Sequence, residues 1–168
     1  MDILLAHGYF LYEDPHELKV MKPYPPLGIL YISAYLKRKG FAVGVFDSTF
    51  RTMNDFKNLI TSERPSIVGI YTNMMTKRNV LEMVRLCKEA KLKVVLGGPE
   101  PPYYAADYLQ RGADVIVKGE GELTLAELIP HLARSGTAQL ESIQGIAFLD
   151  GDGKVVETLP RPFIPDLS

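Results

Sequence analysis

The sequence predicts an α/β fold: a doubly wound, five-stranded parallel sheet with strand order 2-1-3-4-5, followed by a C-terminal β-hairpin. Three observations support this prediction. Short apolar runs recur along the chain, segments with helical periodicity separate them, and glycine- or proline-containing stretches follow several of the runs. Continuous apolar runs are typical of parallel strands, because helices cover both faces of a parallel sheet.

The predicted strands are the apolar runs Ile3–Ala6, Val43–Phe46, Ile67–Tyr71, Val94–Leu96 and Val115–Val117. The segments between them have apolar residues at helical spacing, which predicts helices with one buried face. These residues are Met53, Phe56 and Ile60; Val80, Met83, Val84 and Cys87; and Leu125, Leu128, Ile129 and Leu132.

Helix ends are marked in the sequence as well. Thr52 and Asp55 have the spacing of a capping box, and the basic residues 37–39 before Gly40 are typical of a helix C-terminus. Right-handed crossovers then give an open Rossmann-like or flavodoxin-like sheet. In such a sheet, ligands bind at the carboxyl ends of the strands.

Three regions follow from this pattern. Residues 1–140 are predicted to form the α/β domain, and residues 141–158 a β-hairpin appendage that turns at Asp150–Gly153. Residues 159–168 contain three prolines, which cannot pair in a central strand or continue a helix. They are predicted to be a semi-rigid linker to a further domain that the chain does not contain.

Composition excludes several classes of function. The 168 residues have a formal net charge of −1, with both signs scattered along the chain, so neither a nucleic acid nor an anionic membrane is an expected partner. Charged residues interrupt every apolar stretch before the ~20 residues that span a bilayer. The N-terminus lacks the pattern of a signal peptide, and Cys87 is the single cysteine. These features predict a cytoplasmic location.

The loop after the first strand is a candidate binding element. It runs from about His7 to Pro26, well beyond the ~2–6 residues of an ordinary connection. It ends in a motif whose prolines stiffen the start of a helix and whose glycine lets a bulky group approach the backbone. The motif consists of Tyr24, Pro25, Pro26, Leu27 and Gly28. The alternative is an ordinary helix start with proline in its first turn.

Three later strands also end in candidate ligand-binding residues. Thr72, Asn73 and Met74 follow the third strand and offer polar groups beside an apolar thioether; the alternative is a helix cap with core methionines. Backbone free of side chains is expected at Gly97, Gly98 and Pro99, after the fourth strand. The fifth strand is followed by Gly119, Glu120, Gly121 and Glu122, whose carboxylates either cap a helix or accept hydrogen bonds from ligand amides.

Motifs of several other site classes are absent from the sequence. It contains no G-x-G-x-x-G after the first strand, no phosphate-binding G-x-x-x-x-G-K-[ST] and no H-E-x-x-H zinc signature. Cys87 lies on the predicted buried face of a helix, where a structural role is expected. No catalytic residue is therefore predicted.

The assembled motifs resemble those of a known family. Residues 25–28, 97–99 and 119–122, with Ile143–Ala147 and the proline-rich exit, are similar to the N-terminal cobalamin-binding domain of cobalamin-dependent radical SAM enzymes. This group includes the anaerobic magnesium-protoporphyrin IX monomethyl ester oxidative cyclase. The resemblance covers nearly the whole chain.

The resemblance implies that cobalamin is the cofactor and lies across the carboxyl edge of the sheet, facing a following radical SAM domain of the same polypeptide. That partner domain would bind S-adenosylmethionine and a [4Fe-4S] cluster through a C-x-x-x-C-x-x-C motif, which this chain lacks. We therefore expect the chain to be inactive alone and its parent to perform methyl transfer or oxidative cyclisation.

Cobalt ligation is a separate question. Many cobalamin domains have D-x-H-x-x-G in the first loop, and this chain has a partial match in Asp14 and His16, with Lys19 in place of the glycine. We expect no protein ligand on the metal, with His16 or His7 as the alternatives.

Two other functions stay open at the level of sequence. A flavodoxin-like or nucleotide-binding module has the same sheet order but requires a phosphate cradle after the first strand. A ligand-free interaction domain would have an acidic pocket at the strand edge, for which Asp47 is the one indication. The parent's substrate and the oligomeric state are not encoded in any motif.

Overall fold

The computed structural model describes residues 1–135 and 139–164 as alternating strands and helices. The strands are β1 (Ile3–His7), β2 (Val43–Phe46), β3 (Ile67–Tyr71), β4 (Lys93–Gly97), β5 (Val115–Val117), β6 (Ile146–Leu149) and β7 (Val155–Glu157). The helices are α1 (Pro15–Val20), α2 (Leu27–Arg38), α3 (Met53–Glu63), α4 (Lys77–Glu89), α5 (Ala105–Gln110) and α6 (Gly121–Ser135).

All seven strands form one mixed sheet in the order β2-β1-β3-β4-β5-β6-β7. Strands β1 to β5 are parallel, whereas β6 is antiparallel to β5 and β7 antiparallel to β6. The α/β, doubly wound prediction is confirmed. The prediction of a five-stranded, all-parallel sheet is wrong, because the hairpin pairs with β5 and extends the sheet.

The composition of β6 explains this extension. Ile146, Ala147 and Phe148 are all buried, so both faces of the strand are covered by the two layers of helices. An apolar run of this kind is stable only inside a sheet. The hairpin is therefore part of the sheet and of the core.

The core has two halves, one on each face of the sheet. Leu4 and Ala6 of β1 pack with residues of α3, α4 and α5, whereas Ile3 and Leu5 pack with residues of α2 and α6. This division follows from the strand period of two, which points successive side chains to opposite faces. Helices therefore cover both sides of the parallel strands.

Local signals position several helix ends. Thr52 and Asp55 form the expected capping box at the start of α3, with Thr52 Oγ1 accepting the Asp55 N–H at 3.1 Å and the Asp55 carboxylate accepting the Thr52 N–H at 2.8 Å. The long first loop contains a short 3-10 turn at Leu11–Glu13, followed by α1, which has no buried residue. Phe10 and Leu11 attach the loop to the core.

Parts of the predicted regions lie outside the described residues, namely 136–138 of the α/β domain and 165–168 of the linker. The linker to a further domain stays a prediction. Among the helices that are described, none is both long enough and apolar enough to cross a membrane.

Candidate functional site

The carboxyl ends of the parallel strands border an open cleft of about 1700 Å³. Its walls are the first loop, the start of α2 and the segment between β3 and α4. Seven predicted binding residues line this cleft, which therefore combines two of the proposed motifs. They are Tyr24, Pro25, Pro26, Leu27, Gly28, Asn73 and Met74.

Large apolar side chains are exposed at the mouth of the cleft. Tyr24 is 85% exposed, Met74 79% and Met75 87%, although such residues ordinarily avoid water. The alternative reading of Met74 and Met75 as core residues is therefore wrong. Exposed apolar side chains that lie together are typical of surfaces that contact a ligand or a partner.

A second, smaller cavity of about 720 Å³ lies between the loops that follow β4 and β5. Gly98, Pro99 and Gly119 line it together with Tyr103 and Lys118. Residues from the fourth and fifth strand ends are thus brought together, as the parallel topology requires.

Three predicted glycines have open space where a side chain would be. A Cβ built on Gly28, Gly97 or Gly119 meets no atom within 4 Å. Gly28 and Gly97 also have ordinary backbone conformations, so neither local strain nor internal packing requires glycine there. Close approach of a ligand to the backbone is a physical reason for glycine at these positions.

At Gly98 and Gly121, by contrast, contacts within the protein itself exclude a side chain. Gly98 has φ of +113°, and a Cβ there would lie 2.2 Å from the carbonyl oxygen of Thr72. A Cβ on Gly121 would lie 3.0 Å from Cδ1 of Ile32, because α6 packs closely on α2 at this point. Packing of the chain on itself accounts for both residues.

Five predicted residues line neither cleft, namely Thr72, Gly97, Glu120, Gly121 and Glu122. Thr72 is fully buried, and its backbone N–H donates to the Gly97 carbonyl at 2.8 Å. The carboxylate of Glu120 accepts the Ile164 N–H at 2.6 Å. Glu122 is half-buried in the first turn of α6, where a carboxylate interacts favourably with the helix dipole.

Asn73 contributes to the start of α4 as well as to the cleft. Its Oδ1 accepts the Thr76 N–H at 3.1 Å, and Thr76 Oγ1 accepts the Asn73 N–H at the same distance. These bonds close the turn that precedes α4, whose N-cap Thr76 makes no side-chain cap hydrogen bond. Met74 belongs to the same turn and lines the cleft.

His7 is a buried histidine with satisfied ring nitrogens. Its Nε2 lies 2.9 Å from Asp47 Oδ1, and its Nδ1 lies 3.0 Å from Ser48 Oγ. Burial raises the pKa of Asp47, but hydrogen bonds from Thr49 and His7 outweigh it, so the net pKa lies below the ordinary value. The contact between His7 and Asp47 therefore links the end of β1 to the segment that follows β2.

The partial D-x-H motif has a local explanation. Asp14 is the N-cap of α1, and its Oδ1 accepts the backbone N–H groups of His16 and Glu17 at 2.9 and 3.1 Å. The His16 side chain is exposed. Across residues 1–135 and 139–164, no cluster of three His, Cys, Asp or Glu residues has an arrangement that could hold a metal ion.

Sequence reasoning missed a cluster around Lys77, which lines the cleft. Lys77 Nζ lies 3.1 Å from Asp107 Oδ2 and 3.4 Å from Glu100 Oε1, over the rings of Tyr104 and Tyr108. The Tyr108 hydroxyl donates to Glu100, and burial together with this carboxylate raises the Tyr108 pKa. The cluster joins α4 and α5 to the loop after β4.

Cys87 has the structural role that the sequence predicts. Its side chain is fully buried in the core, and burial raises the pKa of its thiol to about 12. A thiol with this pKa stays protonated near neutral pH and is a poor nucleophile.

The chain is similar to several known proteins. The model of the B12 binding domain family matches residues 18–129, which are 112 of the 168 residues. The anaerobic magnesium-protoporphyrin IX monomethyl ester cyclase of Synechocystis is 34% identical over 152 residues, covering 86% of this chain and 30% of that protein. The hopanoid C-3 methylase of Methylococcus capsulatus is 29% identical over 143 residues, covering 80% of this chain and 27% of that protein.

A solved structure has the same fold. The cobalamin-dependent S-adenosylmethionine radical enzyme OxsB, with aqua-cobalamin bound, superposes with a TM-score of 0.80 at 22% identity, over 96% of this chain and 22% of that chain. This chain therefore spans less than a third of the length of each of these three proteins. From the family match over two thirds of its residues, we conclude that the chain belongs to the B12-binding domain family.

Proposed function

We propose that the chain holds cobalamin across the carboxyl edge of its sheet, as one domain of a radical SAM enzyme. The observation that supports this site most directly is the presence of three glycines with open space, namely Gly28 in the first turn of α2, Gly97 at the end of β4 and Gly119 after β5. The larger cleft exceeds the ~300–1,000 Å³ of pockets for drug-sized ligands, as a ligand of cobalamin's size requires.

The residues that line the two clefts fit the chemistry of this cofactor. Exposed apolar side chains at this cleft, among them Tyr24, Leu27 and Met74, suit the face of a macrocycle. Lys118 lies beside the second cleft, where its Nζ pairs with Glu157, and Glu122 lies outside both clefts at the start of α6. They offer a cation and a carboxylate to a periphery of phosphate and amides. We propose these residues as binding groups, together with Pro25, Pro26, Asn73, Gly98 and Pro99.

Cobalamin supplies a cobalt centre for group transfer or redox chemistry when it is bound. The contribution of this chain is to bind and orient the cofactor. Because His7 is engaged by Asp47 and Ser48, we propose that no histidine of the chain coordinates cobalt.

The activity is proposed for a longer protein. We propose that a radical SAM domain with a [4Fe-4S] cluster and S-adenosylmethionine acts with this domain in methyl transfer or oxidative cyclisation. The names of the cyclase and the methylase, and the short share of each that this chain spans, support this proposal.

The first test is a titration of the full chain with hydroxocobalamin, followed by visible absorption, beside the Gly28→Ala and Gly97→Ala variants. Each added methyl group enters open space, so folding should be unaffected while the ligand is displaced. Overpacking costs about 1–3 kcal/mol. This corresponds to a Kd about 5- to 150-fold weaker.

Gly151→Ala is the matched control. Gly151 also has open space and an ordinary backbone conformation, but it lies in the hairpin turn at the opposite edge of the sheet. The Kd of Gly151→Ala for hydroxocobalamin should equal that of wild type. Saturable binding of FMN in place of cobalamin, or equal binding by all variants, would contradict the proposed site.

Electron paramagnetic resonance of the bound Co(II) form tests the axial ligand. We expect no nitrogen hyperfine splitting from a protein histidine. Splitting that disappears in the His16→Ala variant would instead identify His16 as a ligand.

A further inference from the structure

Residues 159–164 form a strap along the carboxyl edge of the sheet, beside the proposed cofactor site. Strand β7 is antiparallel to β6, which is antiparallel to β5, so β7 ends at the same edge as the parallel strands. The chain leaves β7 through Thr158, whose N–H donates to the Ile146 carbonyl at 3.0 Å. It then passes the start of β6, where Leu159 accepts the Gly145 N–H, and continues toward α6.

Arg161 attaches the middle of the strap to α6. Its Nη1 and Nη2 donate to Oε1 and Oε2 of Glu127 at 3.1 and 2.6 Å. This paired geometry is the strong form of an arginine–carboxylate contact. The Arg161 side chain is only 13% exposed, so solvent screens its pairing less than that of a free surface pair.

Two hydrogen-bonded routes connect the strap to the loop Lys118–Gly121. In the first, the Gly145 N–H donates to the Leu159 carbonyl and the Gly145 carbonyl accepts the Lys118 N–H, both at 2.8 Å. In the second, Glu120 accepts the Ile164 N–H at 2.6 Å. The strap is therefore linked to this loop at both ends, at Leu159 through Gly145 and at Ile164 by direct contact.

The loop held in this way contains one of the open glycines. Gly119 lies between Lys118 and Glu120 and lines the second cleft. Its φ of +81° is one of several conformations that glycine adopts readily, so contacts of the neighbouring residues select it. We therefore expect a change in the strap to alter the shape of the cleft without contact between the strap and the ligand.

We propose that the strap is a positioning element for the cofactor, with Arg161 and Glu120 as its positioning residues. This inference rests on the proposed function, since it assumes that the ligand binds beside Gly119. The strap holds the Lys118–Gly121 loop in the conformation that binds cobalamin, and bound cobalamin in turn stabilises the strap.

The test is hydroxocobalamin titration of full-chain variants. Arg161→Ala and Glu120→Ala should weaken binding roughly 2- to 30-fold, the range for residues that act through a network. Glu120→Gln should bind nearly as wild type, because the amide oxygen accepts the same N–H. The exchanged pair Arg161→Glu with Glu127→Arg should recover most of the affinity lost in Arg161→Ala.

Arg85→Ala is the matched control, since Arg85 pairs with Glu82 and Glu89 on the exposed face of α4. Hydrogen exchange of the Ile164 amide gives a second readout, which should slow when cobalamin is added to wild type and be fast in Glu120→Ala. Wild-type affinity in both alanine variants, or an equal loss in Arg85→Ala, would overturn the strap proposal. Absence of binding in wild type would overturn the cobalamin proposal itself, and the strap proposal with it.

Discussion

Gly98 illustrates how a single backbone position controls the shape of the site. Its positive φ and its contact with the Thr72 carbonyl both exclude a side chain. Gly98→Ala should therefore cost about 3 kcal/mol or more in the free energy of unfolding, since strain and overpacking add. Urea unfolding measures this cost. An unchanged midpoint would contradict the backbone arrangement at this strand end, whereas Gly97→Ala should unfold as wild type does.

Asp47 gives the protein an acid-sensitive contact. Its pKa is lower in the folded state than the ordinary value, so its contribution to stability is present above the unfolded pKa and is lost as the pH falls through the folded pKa. The unfolding midpoint of wild type should exceed that of Asp47→Asn near neutral pH, and the difference should shrink below about pH 4. A difference that does not change with pH would contradict the ionised contact. Because the carboxylate is half-exposed, the effect should be modest.

At the scale of elements, the Lys77 cluster fastens α4, α5 and the loop after β4 to one another. Lys77→Met removes the cation between Glu100 and Asp107 and should cost about 1–2 kcal/mol in unfolding free energy. Arg111→Met is a suitable control, because Arg111 pairs with the same Asp107 on the exposed face of α5 and should change stability by less than about 0.5 kcal/mol. Equal losses of unfolding free energy in Lys77→Met and Arg111→Met would show that the Lys77 cluster stabilises the fold no more than an exposed ion pair does.

The elements themselves could largely be predicted from the sequence. Strands β1 to β5 are covered on both faces, so each appears in the sequence as a short apolar run. The capping box of Thr52 and Asp55 involves residues three positions apart, so the local sequence is enough to predict it. The Lys77 cluster could not be predicted, because its members come from separate elements whose distance depends on the tertiary packing. Glu120 was predicted as a binding group, but whether its carboxylate faces a ligand or the Ile164 amide depends on the path of a segment about forty residues later.

At the scale of the whole molecule, substitutions in the β6–β7 hairpin show whether the core extends into it. Phe148 is buried against the core on the α2 and α6 side, so Phe148→Ala should cost about 3–5 kcal/mol. Val155→Ala in the edge strand β7 should cost less than about 1 kcal/mol, because Val155 is 36% exposed, whereas Phe148 is 1% exposed. A loss below 1 kcal/mol for Phe148→Ala would instead indicate an independent appendage.

The two ends of the sheet also allow the protein to be immobilised in a defined orientation. Cys87 is the single cysteine and is inaccessible in the core, so Gly151→Cys would introduce one reactive thiol at the edge opposite the proposed site. A thiol-reactive reagent should modify one group per folded molecule of this variant and none in wild type. Coupled to a solid support through that thiol, every molecule would present its glycine-lined clefts to the surrounding solution.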